Sequence, residues 1–141
     1  MKVLLDTNVI LDFALERYPW FADSEQIIYF AEQKQILGYV SASTISDIYY
    51  IIRKSKSKEL ALEFLLNLSI FCQIAAVDSS VISMALNVNF KDFEDAIQYS
   101  TAMMNGLNII VTRNPQDFPV SIPTILTPSQ LIKEVELNLV D

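Results

Sequence analysis

Four short aliphatic runs, at residues 2–5, 36–40, 73–77 and 108–112, punctuate the chain, and each is followed by a stretch with room for at least one helix. Runs this short suit strands, and their near-continuous aliphatic character suits strands buried on both faces. Strands alternating with helices restrict the chain to an α/β architecture, with a central parallel sheet covered by helices on both sides. A further short run at 124–126, after Pro119 and Pro123, reads as an edge strand, so four or five strands are expected.

Between the runs, helices are expected at 9–17, with Thr7 or Asn8 as cap and Pro19 as the break, and at 21–35. Ser41, Ser43 and Thr44 offer caps for a helix carrying Ile45, Ile48, Tyr49, Ile51 and Ile52. Further helices are expected at 59–68 and at 81–86, the latter behind the cap cluster Asp78–Ser80. Asp92 opens a helix to Met104 that ends at Asn105-Gly106, and Pro128 takes the first position of a last helix over 129–137.

Composition narrows the function classes. With 52% hydrophobic residues and only two glycines in 141 residues, the chain reads as one domain over 1–141. Histidine is absent, which removes Ser-His-Asp and Cys-His catalysis, imidazole acid-base chemistry and ordinary zinc sites. The single cysteine, Cys72, sits among Ile70, Phe71 and Ile74 and reads as a buried, inert thiol. No apolar run reaches the roughly 18 residues of a membrane span, and Asp6 interrupts the amino-terminal run, so a cytoplasmic location without a membrane is expected. A net charge of −7 repels a polyanion unless a local basic patch or a bound cation reverses the field.

The acids fall in a pattern. Asp6 ends the first strand, Asp47 lies in the first turn of the helix after the second, and Asp92 and Asp95 open the helix that leads into the fourth. Asn114 and Asp117 follow that fourth strand directly. In a parallel sheet the crossover helices run antiparallel to the strands, so all of these positions fall at the carboxyl edge, where ligands bind in open α/β sheets. Asp92 and Asp95, and Thr44 and Asp47, also fit simple helix-capping spacing. Capping does not account for Asp6 joining them, and several carboxylates packed together at neutral pH call for a cation. Oxygen ligands without His or Cys suit Mg2+ or Mn2+.

Taken together, LLDTNVILD at 4–12, DFEDA at 92–96, IIVTRNPQDF at 109–118 and TILTPSQL at 124–131 resemble the PIN-domain family of metal-dependent ribonucleases. The resemblance spans nearly the whole chain. It implies a three-layer α/β/α sandwich, a Mg2+ or Mn2+ site and cleavage of single-stranded RNA. It further implies a homodimer, and, as in toxins of toxin-antitoxin pairs, inhibition by an antitoxin protein. Asp6 matches the family's first metal-binding aspartate, Asn8 the polar residue beside it, and Asp95 the acid of the later helix. Two positions depart: Asp47 stands where a glutamate is usual, and Asn114 stands where aspartate often follows the Thr-Arg pair.

The leading expectation is therefore an endoribonuclease in which Asp6, Asp95, Asp47 and Asp117 hold metal and Asn114 completes the shell or places the attacking water. Arg53, Lys54, Lys56 and Lys58, four of the ten basic residues, would hold the RNA backbone together with Arg113 and Asn8. The alternative is a catalytically silent PIN-like module that binds a protein or RNA partner, motivated by the departures at 47 and 114. A phosphatase of the haloacid dehalogenase type would also begin with a strand ending in aspartate, but it expects Asp where this chain has Asn8.

Overall fold

The aliphatic runs form five parallel strands: β1 (Lys2–Leu5), β2 (Leu37–Ser41), β3 (Cys72–Ala75), β4 (Ile109–Val111) and β5 (Thr124–Leu126), in the order β3-β2-β1-β4-β5. The computed structural model describes residues 1–140; Asp141, the last residue of the expected domain, lies outside them. Side chains alternate across the pleat. Val3, Leu5, Val40, Ile109 and Val111 enter one core with Ile10, Ile27, Ile48, Leu68 and Leu131. Leu4 and Ile110 enter the other, with Ala102, Leu107 and Phe118.

Helices α1 (Thr7–Ala14), α2 (Phe21–Glu32), α3 (Ile45–Ser55), α4 (Lys58–Phe71) and α7 (Pro128–Val140) bring residues to the first core. Helix α6 (Phe93–Met104) covers the other face, with α5 (Ser79–Asn87) packed against it. The expected three-layer α/β/α sandwich is the fold. No helix among the described residues is long and apolar enough to cross a membrane.

Several boundaries have a local physical cause. Helix α1 begins at Thr7 and not at Val9, because Asp6 is itself the cap: its carboxylate accepts the Thr7 N–H at 2.8 Å. Helix α4 runs on to Phe71 and passes straight into β3 at Cys72 without a loop. Helix α7 starts at Pro128, where Thr127 and Gln130 exchange two hydrogen bonds, 2.9 and 3.3 Å, as a capping box. Cys72 is buried as expected, and burial, reinforced by Glu32, pushes its thiol up to about 12.

Candidate active site

Strand β1 leads on to β2 on one side and its neighbour β4 leads on to β5 on the other, so the connections from these two adjacent carboxyl ends depart in opposite directions. A crevice opens at such a switch point. Here it is a cleft of about 750 Å³ lined by Asp6, Asp47, Glu94, Asp95, Asn114 and Asp117 among others. All five positions expected to be catalytic line this one cleft, although 111 residues separate the first from the last.

Asp6 is the floor of the site, 9% exposed. Its Oδ1 accepts from Thr7 N at 2.8 Å and from the Gln98 amide at 3.1 Å; its Oδ2 accepts from Thr112 Oγ1 at 2.8 Å and from Asn8 Nδ2 at 3.4 Å. Four donors from three separate stretches thus aim one carboxylate. Gln98 lies outside the motifs read from the sequence, and Thr112 lies inside one, as part of the Thr-Arg pair, without a role of its own there. Gln98 was reachable: it lies three residues after Asp95 on α6, which puts both on one helix face. The buried Gln98 Oε1 has no hydrogen-bond partner among the described residues.

Asp95 occupies the third position of α6, and its backbone N–H is capped by Asp92 at 3.1 Å. Position in the first turn favours its charge, yet the opposing effects are larger. Burial first, then the charges of Asp6, Asp92, Asp117 and Glu94, push its carboxyl up to about 7. Asp47 and Asp117 are more exposed and stand on the cleft walls, Asp47 in the first turn of α3 and Asp117 in the single 3₁₀ turn Pro115–Asp117 after β4. Among the described residues no three acidic or thiol side chains gather tightly enough to form a ready cation cage. The acids are instead spread around the cleft lining, as suits a cation that keeps part of its water shell.

The basic residues are distributed differently from expectation. Arg53 and Lys54 lie in the last turn of α3, Lys56 beyond it and Lys58 at the start of α4. At about 1.5 Å rise per residue, the run begins about 9 Å along α3 from Asp47, and none of it is among the described residues lining the cleft. Arg113 is turned away: its Nε lies 2.6 Å from Oδ2 of Asp12 and its Cζ 3.9 Å from the centre of the Trp20 ring. Asn8 braces the floor, since its Oδ1 accepts from Arg113 N at 3.4 Å. The cation that does line the cleft is Arg17. Glu16 adopts φ 49° after α1, and the Arg17 N–H returns to the Asp12 carbonyl at 3.0 Å, so the chain doubles back toward the site. No motif in the sequence marks Arg17.

Residues 2–116 match the family model of the PIN domain. The chain belongs to the PIN-domain family. The chain is 28% identical over 130 residues to ribonuclease VapC1 of Aquifex aeolicus strain VF5, covering 89% of this chain and 90% of that protein. Among solved structures, a chain of a toxin-antitoxin complex from Klebsiella pneumoniae superposes with a TM-score of 0.70 at 23% identity, covering 89% of this chain and 97% of that one. Mycobacterium tuberculosis VapC20, described as a sarcin-ricin loop cleaving toxin, gives 0.61 at 10% identity over 77% of this chain and 86% of its own. These structural likenesses establish the PIN fold for the five-stranded sheet described above.

Proposed function

We propose that this PIN-domain protein is a metal-dependent endoribonuclease that hydrolyses phosphodiester bonds of single-stranded RNA. The observation that carries the reading is the convergence of Asp6, Asp47, Asp95 and Asp117 in one cleft at the β1/β4 switch point. The relative named as a ribonuclease supports the same chemistry. The donor set fits a hard divalent cation such as Mg2+ or Mn2+: it is all oxygen, and a positive charge offsets the burial and the neighbouring carboxylates that together raise Asp95. When bound, such a metal supplies a water of lowered pKa and neutralises charge developing on the phosphoryl group.

The chain's own residues divide the remaining work. Asp6, fixed by its four donors, and Asp95, facing it from α6, hold the cation, with Asp47 and Asp117 contributing from the walls directly or through water. Asn114 orients a water through its amide. Arg17 meets a phosphate inside the cleft, while the Arg53–Lys58 run meets the RNA backbone farther along an extended strand. Similarity to a chain of a toxin-antitoxin complex supports a toxin held inactive by an antitoxin protein; the homodimer and the cytoplasmic location belong to the same reading through the family resemblance alone.

The deciding experiment is cleavage of mixed single-stranded RNA with Mg2+ or Mn2+, with EDTA, and with Asp6→Asn. Activity that requires both metal and Asp6 is the expected result, with a loss of at least about 100-fold in the variant; full activity in Asp6→Asn excludes the assignment. Arg17→Gln should raise KM and flatten the dependence of binding on salt by about one ion, with kcat nearly unchanged. The spread of the acids, without a ready cation cage among the described residues, favours one second reading: a silent module that binds a partner without cutting RNA. That reading requires wild-type protein to show neither cleavage nor Mn2+ binding.

A further inference from the structure

Asp12 is an ionisable side chain with no part in the proposed chemistry, and it is fully buried. On α1 it faces two arginines: Arg113, with Nε at 2.6 Å from Oδ2 and Nη2 at 3.3 Å from Oδ1, and Arg17, with Nη1 at 3.8 Å from Oδ1. Burial raises the Asp12 carboxyl, and Arg113 opposes that rise. On its other side the Arg113 guanidinium lies over the ring of Trp20, the only tryptophan in the chain, immediately before α2. A buried ion pair is a poor source of net stability, because desolvation offsets most of the attraction, but it fixes geometry. What this one fixes is the strand exit beside the cleft.

The residues on either side of Arg113 show why that matters. Thr112 donates to Asp6 at 2.8 Å and accepts from the Asn114 N–H at 3.1 Å, and the Arg113 N–H donates to Asn8, which itself donates to Asp6. Successive residues of the exit therefore point to alternate places: Thr112 to the floor carboxylate, Arg113 back into the Asp12–Trp20 slot, Asn114 to the cleft. We infer that Asp12, Arg113 and Trp20 form a clamp that positions Asn114 and Asp117 opposite Asp6, so that Arg113 is a positioning residue and not an RNA contact. The inference rests on the nuclease reading above for the role of the cleft. Lysine cannot replace the clamp, since it offers neither the two-pronged contact nor a plane to lie over indole.

The test uses the full chain with Arg113→Lys, Asp12→Asn, the double variant, Trp20→Leu and Arg113→Gln. Supporting partners of metal-site residues typically contribute 10- to 100-fold to activity or metal affinity. Arg113→Lys and Asp12→Asn should each lower kcat by about 10- to 100-fold with KM within about twofold, and the double variant should be no worse than the poorer single one. Trp20 emission should shift in both, reporting release of the clamp apart from activity. An RNA-contact role predicts the reverse: Arg113→Lys keeps its charge and near-normal kinetics, and Arg113→Gln raises KM with kcat unchanged. Either result overturns the clamp. Where the buried variants fail to fold, Trp20→Leu, at a partly exposed position, should still reduce kcat several-fold with KM unchanged; an unchanged kcat overturns the proposal. If wild-type protein binds Mg2+ without cleaving RNA, the nuclease reading fails while the clamp is judged by calorimetry, with Mg2+ affinity about tenfold weaker in Arg113→Lys expected and equal affinity overturning it. A wild-type chain that neither cleaves RNA nor binds Mg2+ overturns both.

Discussion

At the scale of single residues, the site is governed by competition between solvation and like charge. Asp95 illustrates it. An aspartate in the unfolded chain ionises near 3.8, whereas the folded protein holds this proton up to about 7. Between those values the folded state binds more protons than the unfolded one, so this group's contribution to stability falls as pH rises through the window and is constant above it. Asp95→Asn should therefore raise the urea midpoint of the metal-free protein at pH 8, with the gain vanishing toward pH 4, while abolishing cleavage. A variant no more stable than wild type at pH 8 would place the repulsion elsewhere. For the same reason, Mg2+ should raise the melting temperature more at pH 8 than at pH 5, because the cation favours the ionised carboxylate.

At the scale of elements, the helix ends carry the chain between layers. Three helices close with the same pair of hydrogen bonds around a residue in the left-handed region: Glu16 at φ 49°, Lys34 at φ 59° and Gly106 at φ 67°. Only one of the three is glycine. The Asn105-Gly106 signal was readable for that reason, and the ends at Glu16 and Lys34 were not. Sequence pattern alone accordingly extends α1 to Arg17 and α2 to Gln35, past their true ends at Ala14 and Glu32. A Cβ at Gly106 would meet nothing within 4 Å, so Gly106→Ala tests backbone conformation alone and should destabilise by about 1 kcal/mol. Lys34→Gly should have the opposite sign, a gain of up to about 1 kcal/mol in chemical denaturation, reduced by the greater entropy of the unfolded glycine chain. A loss at Lys34→Gly would mean that its side chain contributes more than the backbone strain removes.

At the scale of the whole molecule, two cores lie on opposite faces of one sheet whose strands alternate their side chains between them. No strand belongs to one core only in the way that would let a layer detach: β1 supplies Val3 and Leu5 to one and Leu4 to the other. We propose on that ground that the chain is one folding domain. Circular dichroism, which reports all helices, and the emission of Trp20 should then give coincident unfolding transitions in urea. Two separated transitions would show that the layers melt independently.

The sequence by itself determined the element order, the parallel α/β class and the edge on which the acids gather, because hydrophobic periodicity and chain direction are local properties that survive without knowledge of contacts. It also placed Asp6, Asp47, Asp95, Asn114 and Asp117 in one region, since strand ends and helix starts share an edge in any such sheet. The tertiary structure decided the rest. Strand order put β1 beside β4 and so brought Thr112 onto Asp6; helix packing turned Gln98 inward; and a buried aspartate drew Arg113 away from the cleft while a helix end brought Arg17 to it. Each of these depends on which side chain competes for which partner across long stretches of chain, and burial, which makes an unpaired charge untenable, settles that competition only once the layers have packed.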